Sequence, residues 1–202
     1  MSTIIRLVTI AAAVGAVSCG PVFQDARIVA PGTVEVTPSV SGAAVTNGGT
    51  HYVGEAYAVT ALVGTWERSD FGVAYVRTVV DDADGGLNSL VFGPRVGIVK
   101  DRFAVAVPFS FFFGEDVPVS RTWAVHPTAL FTLPMGEHLD FNPSVRMVVS
   151  FEEPDTILGF NAGFGIHVHP AMTIRPEFGI LVNPGEDGVA WSFGIGFSAR
   201  TR

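Results

Sequence analysis

Between residues 103 and 113 the chain reads FAVAVPFSFFF, and its apolar bulk falls on alternate positions. Phe103, Val105, Val107, Phe109, Phe111 and Phe113 make one row; Ala104, Ala106, Pro108, Ser110 and Phe112 make the other. A period of two predicts a strand with one bulky face and one mostly small or polar face, because a helix would scatter both sets around its circumference. The alternation recurs from 139, where Leu139, Phe141, Pro143, Val145, Met147, Val149 and Phe151 face away from Asp140, Asn142, Ser144, Arg146 and Ser150. It recurs again from 172 (Met172, Ile174, Pro176, Phe178, Ile180, Val182) and from 189 (Val189, Trp191, Phe193, Ile195, Phe197).

Applied throughout, the pattern predicts ten strands at 33–44, 55–65, 69–79, 88–99, 102–113, 121–133, 137–151, 157–169, 171–182 and 188–200, with eight as the alternative count. Most run 11 to 13 residues, longer than the usual five or six of soluble sheets and close to the roughly 9–11 tilted residues that cross a bilayer. The connections alternate in length. Lys100-Asp101, Pro134-Met135-Gly136 and His169-Pro170-Ala171 are tight, whereas 80–86, 114–120, 152–156 and 183–187 are longer. An all-β, antiparallel up-and-down transmembrane barrel has this alternation, and an even strand number leaves both termini at the short-turn, periplasmic end.

The face opposite the apolar row decides between this and a soluble barrel, which turns its apolar face inward and solvates its outside with charge. That row is Gly, Ala, Ser and Thr with isolated charges at Glu35, Arg95, Arg146, Arg175 and Glu177. It suits a tightly curved lumen, so the apolar row is expected to face lipid. Aromatic residues collect towards predicted strand ends, as interfacial girdles do: Phe113, Trp123, Phe151 and Trp191 by the longer loops, Trp66, Phe71, Phe103, Phe131 and Phe197 by the shorter turns.

Composition fits. Of 202 residues 48% are hydrophobic and 15% charged, and Lys100 is the single lysine. A net charge of −7 without a basic stripe speaks against nucleic acid as a partner. The first residues read as an export signal: Arg6, an apolar run over 7–17, and Ala16-Val17-Ser18 as cleavage site. Cys19 follows at once, and a lone cysteine has no intramolecular disulfide partner. AVSC resembles the bacterial lipobox, with Ala16 where Leu, Val or Ile is usual, which implies a lipidated Cys19; Gly20 resembles the sorting residue of outer-membrane lipoproteins. The predicted division is a signal peptide over 1–18, a lipid-anchored linker over 19–31 and a barrel over 32–202.

Over about 32–202 the chain resembles the small bacterial outer-membrane β-barrel families, in pattern and not in a specific motif. W-S-F-G-I-G-F (191–197) is similar to the terminal strand read by the barrel-assembly machinery, although here the chain continues to Arg202. The resemblance implies a Gram-negative outer membrane, with membrane lipid, lipopolysaccharide and the assembly machinery as partners. Related segments TPSVSG (37–42), GPRVGI (93–98), HPTALF (126–131), NPSVRM (142–147) and RPEFGI (175–180) each place a proline on the apolar row.

Three constellations carry candidate chemistry. Glu35, Arg95, Arg146, Arg175 and Glu177 either form a hydrogen-bonded lumen plug or line a narrow pore, since buried charges require partners. His167 and His169 share a face; if 152–156 closes its hairpin symmetrically, His138 lies opposite His169 and Asp140 opposite His167, a set able to hold Zn²⁺ or Cu²⁺. The long loops carry Asp81, Asp82, Asp84, Glu115, Asp116, Glu152, Glu153, Asp155, Glu186 and Asp187, a solvated acidic rim or one bridged by divalent cations to lipopolysaccharide phosphates. G-x-S-x-G, H-E-x-x-H and P-loop motifs are absent, and Ser110, Ser144 or Ser150 with His126 lacks a compelling third group. No catalysis and no cofactor are inferred. The expected role is structural, surface-interacting or weakly permeable; the alternatives are a narrow pore, or a soluble lipid-anchored barrel or sandwich holding an apolar ligand.

Overall fold

The structure, a computed structural model, describes residues 22–46, 49–80, 86–114, 117, 119, 122–152, 156–184 and 188–201. Its strands are β1 (Val34–Thr46), β2 (Thr50–Trp66), β3 (Ser69–Val80), β4 (Gly86–Val99), β5 (Phe103–Ala106), β6 (Phe109–Phe113), β7 (Ala124–Val125), β8 (Thr128–Phe131), β9 (Leu133–Pro134), β10 (Leu139–Ser150), β11 (Thr156–His169), β12 (Met172–Val182) and β13 (Val189–Arg200). They make ten staves, because β5 and β6 continue one another and so do β7, β8 and β9. Every neighbour pair is antiparallel, and β1 closes on β13 from Glu35↔Arg200 to Thr46↔Val189. The result is a closed ten-stranded up-and-down barrel without a free edge.

Proline explains the broken staves. It has no N–H to give to a ladder. The β4 ladder pairs Arg95 with Ala106 and Phe92 with Phe109, and opens between them at Pro94 and Pro108. Two carbonyls at the break are used instead: His126 N–H donates to Pro108 at 2.8 Å and Val107 N–H to Pro94 at 3.0 Å. Pro38, Pro143 and Pro176 sit at similar openings, each on one side of its stave only. Pro38, Pro94, Pro143 and Pro176 therefore mark where a stave loosens from one neighbour, whereas at Pro108 and Pro127 the ladder opens on both sides.

Polarity is inverted relative to a soluble domain. On the outward rows Val59 is 50%, Phe178 47% and Phe193 54% exposed, while inward Asp70, Arg95 and Arg175 are 1%, 2% and 3% exposed. At one end Phe103 stacks on Phe131 at 5.0 Å, and at the other Phe111 meets Trp123 at 4.8 Å. Towards the long-loop end the lumen closes with Ala43, Ala56 and Leu181, packed by Val76, Val148, Ile157 and Ala190.

Candidate functional site

Residues 22–33, read from the sequence mostly as linker, run inside the barrel. Their path begins at Glu177, the central residue of β12, whose carboxylate accepts the N–H groups of Val22 at 2.5 Å and Phe23 at 2.8 Å. Phe23 takes a left-handed backbone (φ 50°), which costs about 1–2 kcal/mol outside glycine. Its ring lies against β13, where a Cβ on Gly194 would stand 2.7 Å from the ring and one on Gly196 3.1 Å. Glycine in these two positions makes the seat for the ring.

The segment then descends to the short-turn end through alternating ionic and backbone contacts. Ala26 N–H donates to Thr132 Oγ1 at 2.8 Å, and Val29 N–H to Asp70 Oδ2 at 2.8 Å. Arg95, on β4, binds Asp70 at 2.6 Å and also donates to the carbonyls of Asp25 at 2.7 Å and Arg27 at 3.0 Å. Arg27 binds Asp140, which also meets His167 Nε2. Arg175 donates to Asp25 at 3.0 Å, Glu35 at 3.4 Å and Ser198 at 2.6 Å, and Arg200 pairs with Glu35. Ala26 packs with Ala104, Ala106 and Leu130, and Ile28 lies beside this group.

The exit is a turn. Thr33 N–H donates to the Ala30 carbonyl at 3.0 Å with Gly32 at φ 74°, and Gly64 N–H donates to Thr33 at 3.0 Å. A Cβ on Gly64 would collide with the Ala30 carbonyl, so β2 admits the turn only because residue 64 is glycine.

Of the lumen residues named from the sequence, Arg95, Arg175 and Glu177 are buried and contact this segment, and buried Glu35 is linked to it through Arg175; Arg146 is also inward and partly buried. Asp25, Arg27, Asp70 and Thr132 were missed. The available signal was a pair of opposite charges in QDARIVAPG, with a Pro-Gly turn just ahead of the first strand.

The histidine pairing is corrected. His138 lies opposite His167, whose N–H donates to the His138 carbonyl at 2.8 Å, and Asp140 lies opposite Gly165. The hairpin is not symmetric about 152–156, and a bulge between His167 and His169 sends the latter out of phase. His138, His167 and His169 line a 400 Å³ cavity at the short-turn mouth, but Asp140 is engaged by Arg27, and no three His, Cys, Asp or Glu groups among the described residues are placed to hold a metal. Ser110 Oγ and His126 Nε2 are 2.6 Å apart, both buried, yet among the described residues His126 Nδ1 has no hydrogen-bond partner to orient the ring as a catalytic base. Of the acidic rim, Glu152 is exposed. Asp81, Asp82, Asp84, Glu115, Asp116, Glu153, Asp155, Glu186, Asp187 and also Cys19 lie outside the described residues.

No family model matches the chain, and no curated protein matches it. Among solved structures it is similar to an outer membrane channel from Pseudomonas putida F1 (9% identity, 88% of this chain and 98% of that one, TM-score 0.48). It is also similar to Ail, the attachment invasion locus protein of Yersinia pestis, in complex with a heparin analogue (14%, 85% and 99%, TM-score 0.40), and to Neisserial surface protein A (12%, 83% and 98%, TM-score 0.38). At these values no feature of those proteins is transferred to this chain.

Proposed function

We propose that the chain is an exported, integral β-barrel of a Gram-negative outer membrane, with its lumen closed by its own N-terminal segment. Its role in this reading is structural or surface-interacting, and neither conducting nor catalytic. The observation that carries it is the inversion of polarity: an apolar exterior between two aromatic ends surrounds an ion-paired interior filled by residues 22–33. Such an exterior suits hydrocarbon, and a closed lumen is supported by the segment in its lower part and, among the described residues, by Leu181, Val148 and Ile157 packed together in its upper part. Membrane lipid, lipopolysaccharide and the barrel-assembly machinery are the partners this reading implies.

Fractionation tests it. The protein should stay with membranes after carbonate extraction, migrate faster unboiled than boiled, and leave planar bilayers silent across salt concentrations. Release by carbonate, or steady conductance, contradicts it.

A further inference from the structure

Among the described residues, the only carboxylate along the outward rows of the strands is Glu55, the only guanidinium is Arg77 and the only carboxamide is Asn88. They stand on three consecutive staves, β2, β3 and β4. The register sets Arg77 opposite Tyr57 on one side and opposite Asn88 on the other, with Glu55 opposite Val79. Contacts tie these residues into two adjoining groups. Tyr57 donates to Glu55 at 2.5 Å, Tyr75 to Asn88 Oδ1 at 2.7 Å, and Arg77 Nη1 to the same oxygen at 3.1 Å. The ring of Phe113 lies 6.4 Å from that of Tyr75.

The patch is at the long-loop end: β3 ends at Val80 and β4 begins at Gly86. Depth matters here, because an arginine on the lipid face costs about 2–4 kcal/mol at the bilayer midplane and about 0–1 kcal/mol near the interface. Three polar groups on neighbouring staves, with tyrosines between them, therefore stand at headgroup height. A groove of 740 Å³ leads away from Glu55 and Tyr57 over Val40, Phe193, Phe178 and Phe164. Gly42 shapes its floor, because the Phe193 ring lies across it, 2.9 Å from where a Cβ would be.

A head that offers one guanidinium, one carboxylate and one carboxamide, joined to an apolar groove, is complementary to an amphiphile with a phosphorylated, hydroxyl-bearing head. We infer that this face binds a phosphorylated glycolipid of the outer leaflet, lipopolysaccharide, with a phosphate on Arg77, sugar hydroxyls on Glu55 and Asn88, and an acyl chain in the groove. Guanidinium–phosphate pairs are short, charge-assisted and commonly two-pronged. The inference rests on the outer-membrane reading above.

The test uses the full mature chain in phosphatidylcholine nanodiscs doped with lipopolysaccharide or its dephosphorylated form, with retained glycolipid counted by native mass spectrometry. The wild type should enrich the phosphorylated lipid, and Arg77→Gln should lower that enrichment by about tenfold. Arg68→Gln, in the exposed turn after β2 at the opposite end, should leave it unchanged. Equal retention by Arg77→Gln, or equal binding of both lipids by the wild type, overturns the site. If Arg77→Gln fails to fold, Tyr75→Phe and Asn88→Leu carry the same comparison, with reduced enrichment expected and wild-type enrichment overturning it. A chain that never shows heat-modifiable mobility defeats the membrane reading instead; a folded barrel without lipid preference defeats only the site.

Discussion

Arg175 on β12 holds the carboxylate of Asp25 at 3.0 Å across 150 positions of sequence, with both side chains 3% exposed. This pair fastens the internal segment to the wall. Breaking a buried pair from one side leaves an uncompensated charge and typically costs about 3–5 kcal/mol, while replacing both partners with apolar groups is often near neutral. Asp25→Ala should therefore lower the urea midpoint of the unboiled-to-boiled gel shift, and Asp25→Ala with Arg175→Met should recover most of the loss. A double variant destabilised by the sum of the two single variants would show that the two residues act independently.

Thr132 offers a smaller, cleaner change. Its hydroxyl accepts the Ala26 N–H in a fully buried site, so Thr132→Val strands one donor. The expected cost is about 1–3 kcal/mol, read from the same urea midpoint, with the barrel still heat-modifiable.

Gly64→Ala sets the wall against the turn at Ala30, since a Cβ there collides with the Ala30 carbonyl. The strands should form as before while the 30–33 turn moves. Limited proteolysis of the folded protein should then cut near residues 30–33 faster than in the wild type. An unchanged digestion rate would mean that the turn tolerates the added methyl.

Membrane retention should not depend on Cys19. The wall alone supplies the apolar exterior, so Cys19→Ser should remain in the carbonate pellet; release would instead favour an anchored soluble barrel.

The barrel was legible because its signal is local. Alternation along FAVAVPFSFFF depends only on neighbouring positions, and the inward row of Glu35, Arg95, Arg175 and Glu177 follows from parity once the strands are drawn. The internal segment was not legible: its contacts with the wall join residues 31 to 155 positions apart, and twelve residues without periodicity look like a linker. The histidine set failed for a related reason, since one bulge at His167 and one asymmetric hairpin change every partner. Glu55, Arg77 and Asn88 become a patch only when the register is known, because they lie up to 33 positions apart in sequence.

The most direct measurement is thiol accessibility at position 26. Ala26 is 0% exposed between Thr132 and the Ala104–Leu130 wall. In a Cys19→Ser background, Ala26→Cys in the folded, heat-modifiable barrel should resist a water-soluble maleimide and react only once urea unfolds it. Rapid labelling in the folded protein would place residues 22–33 outside the lumen and contradict the closed barrel.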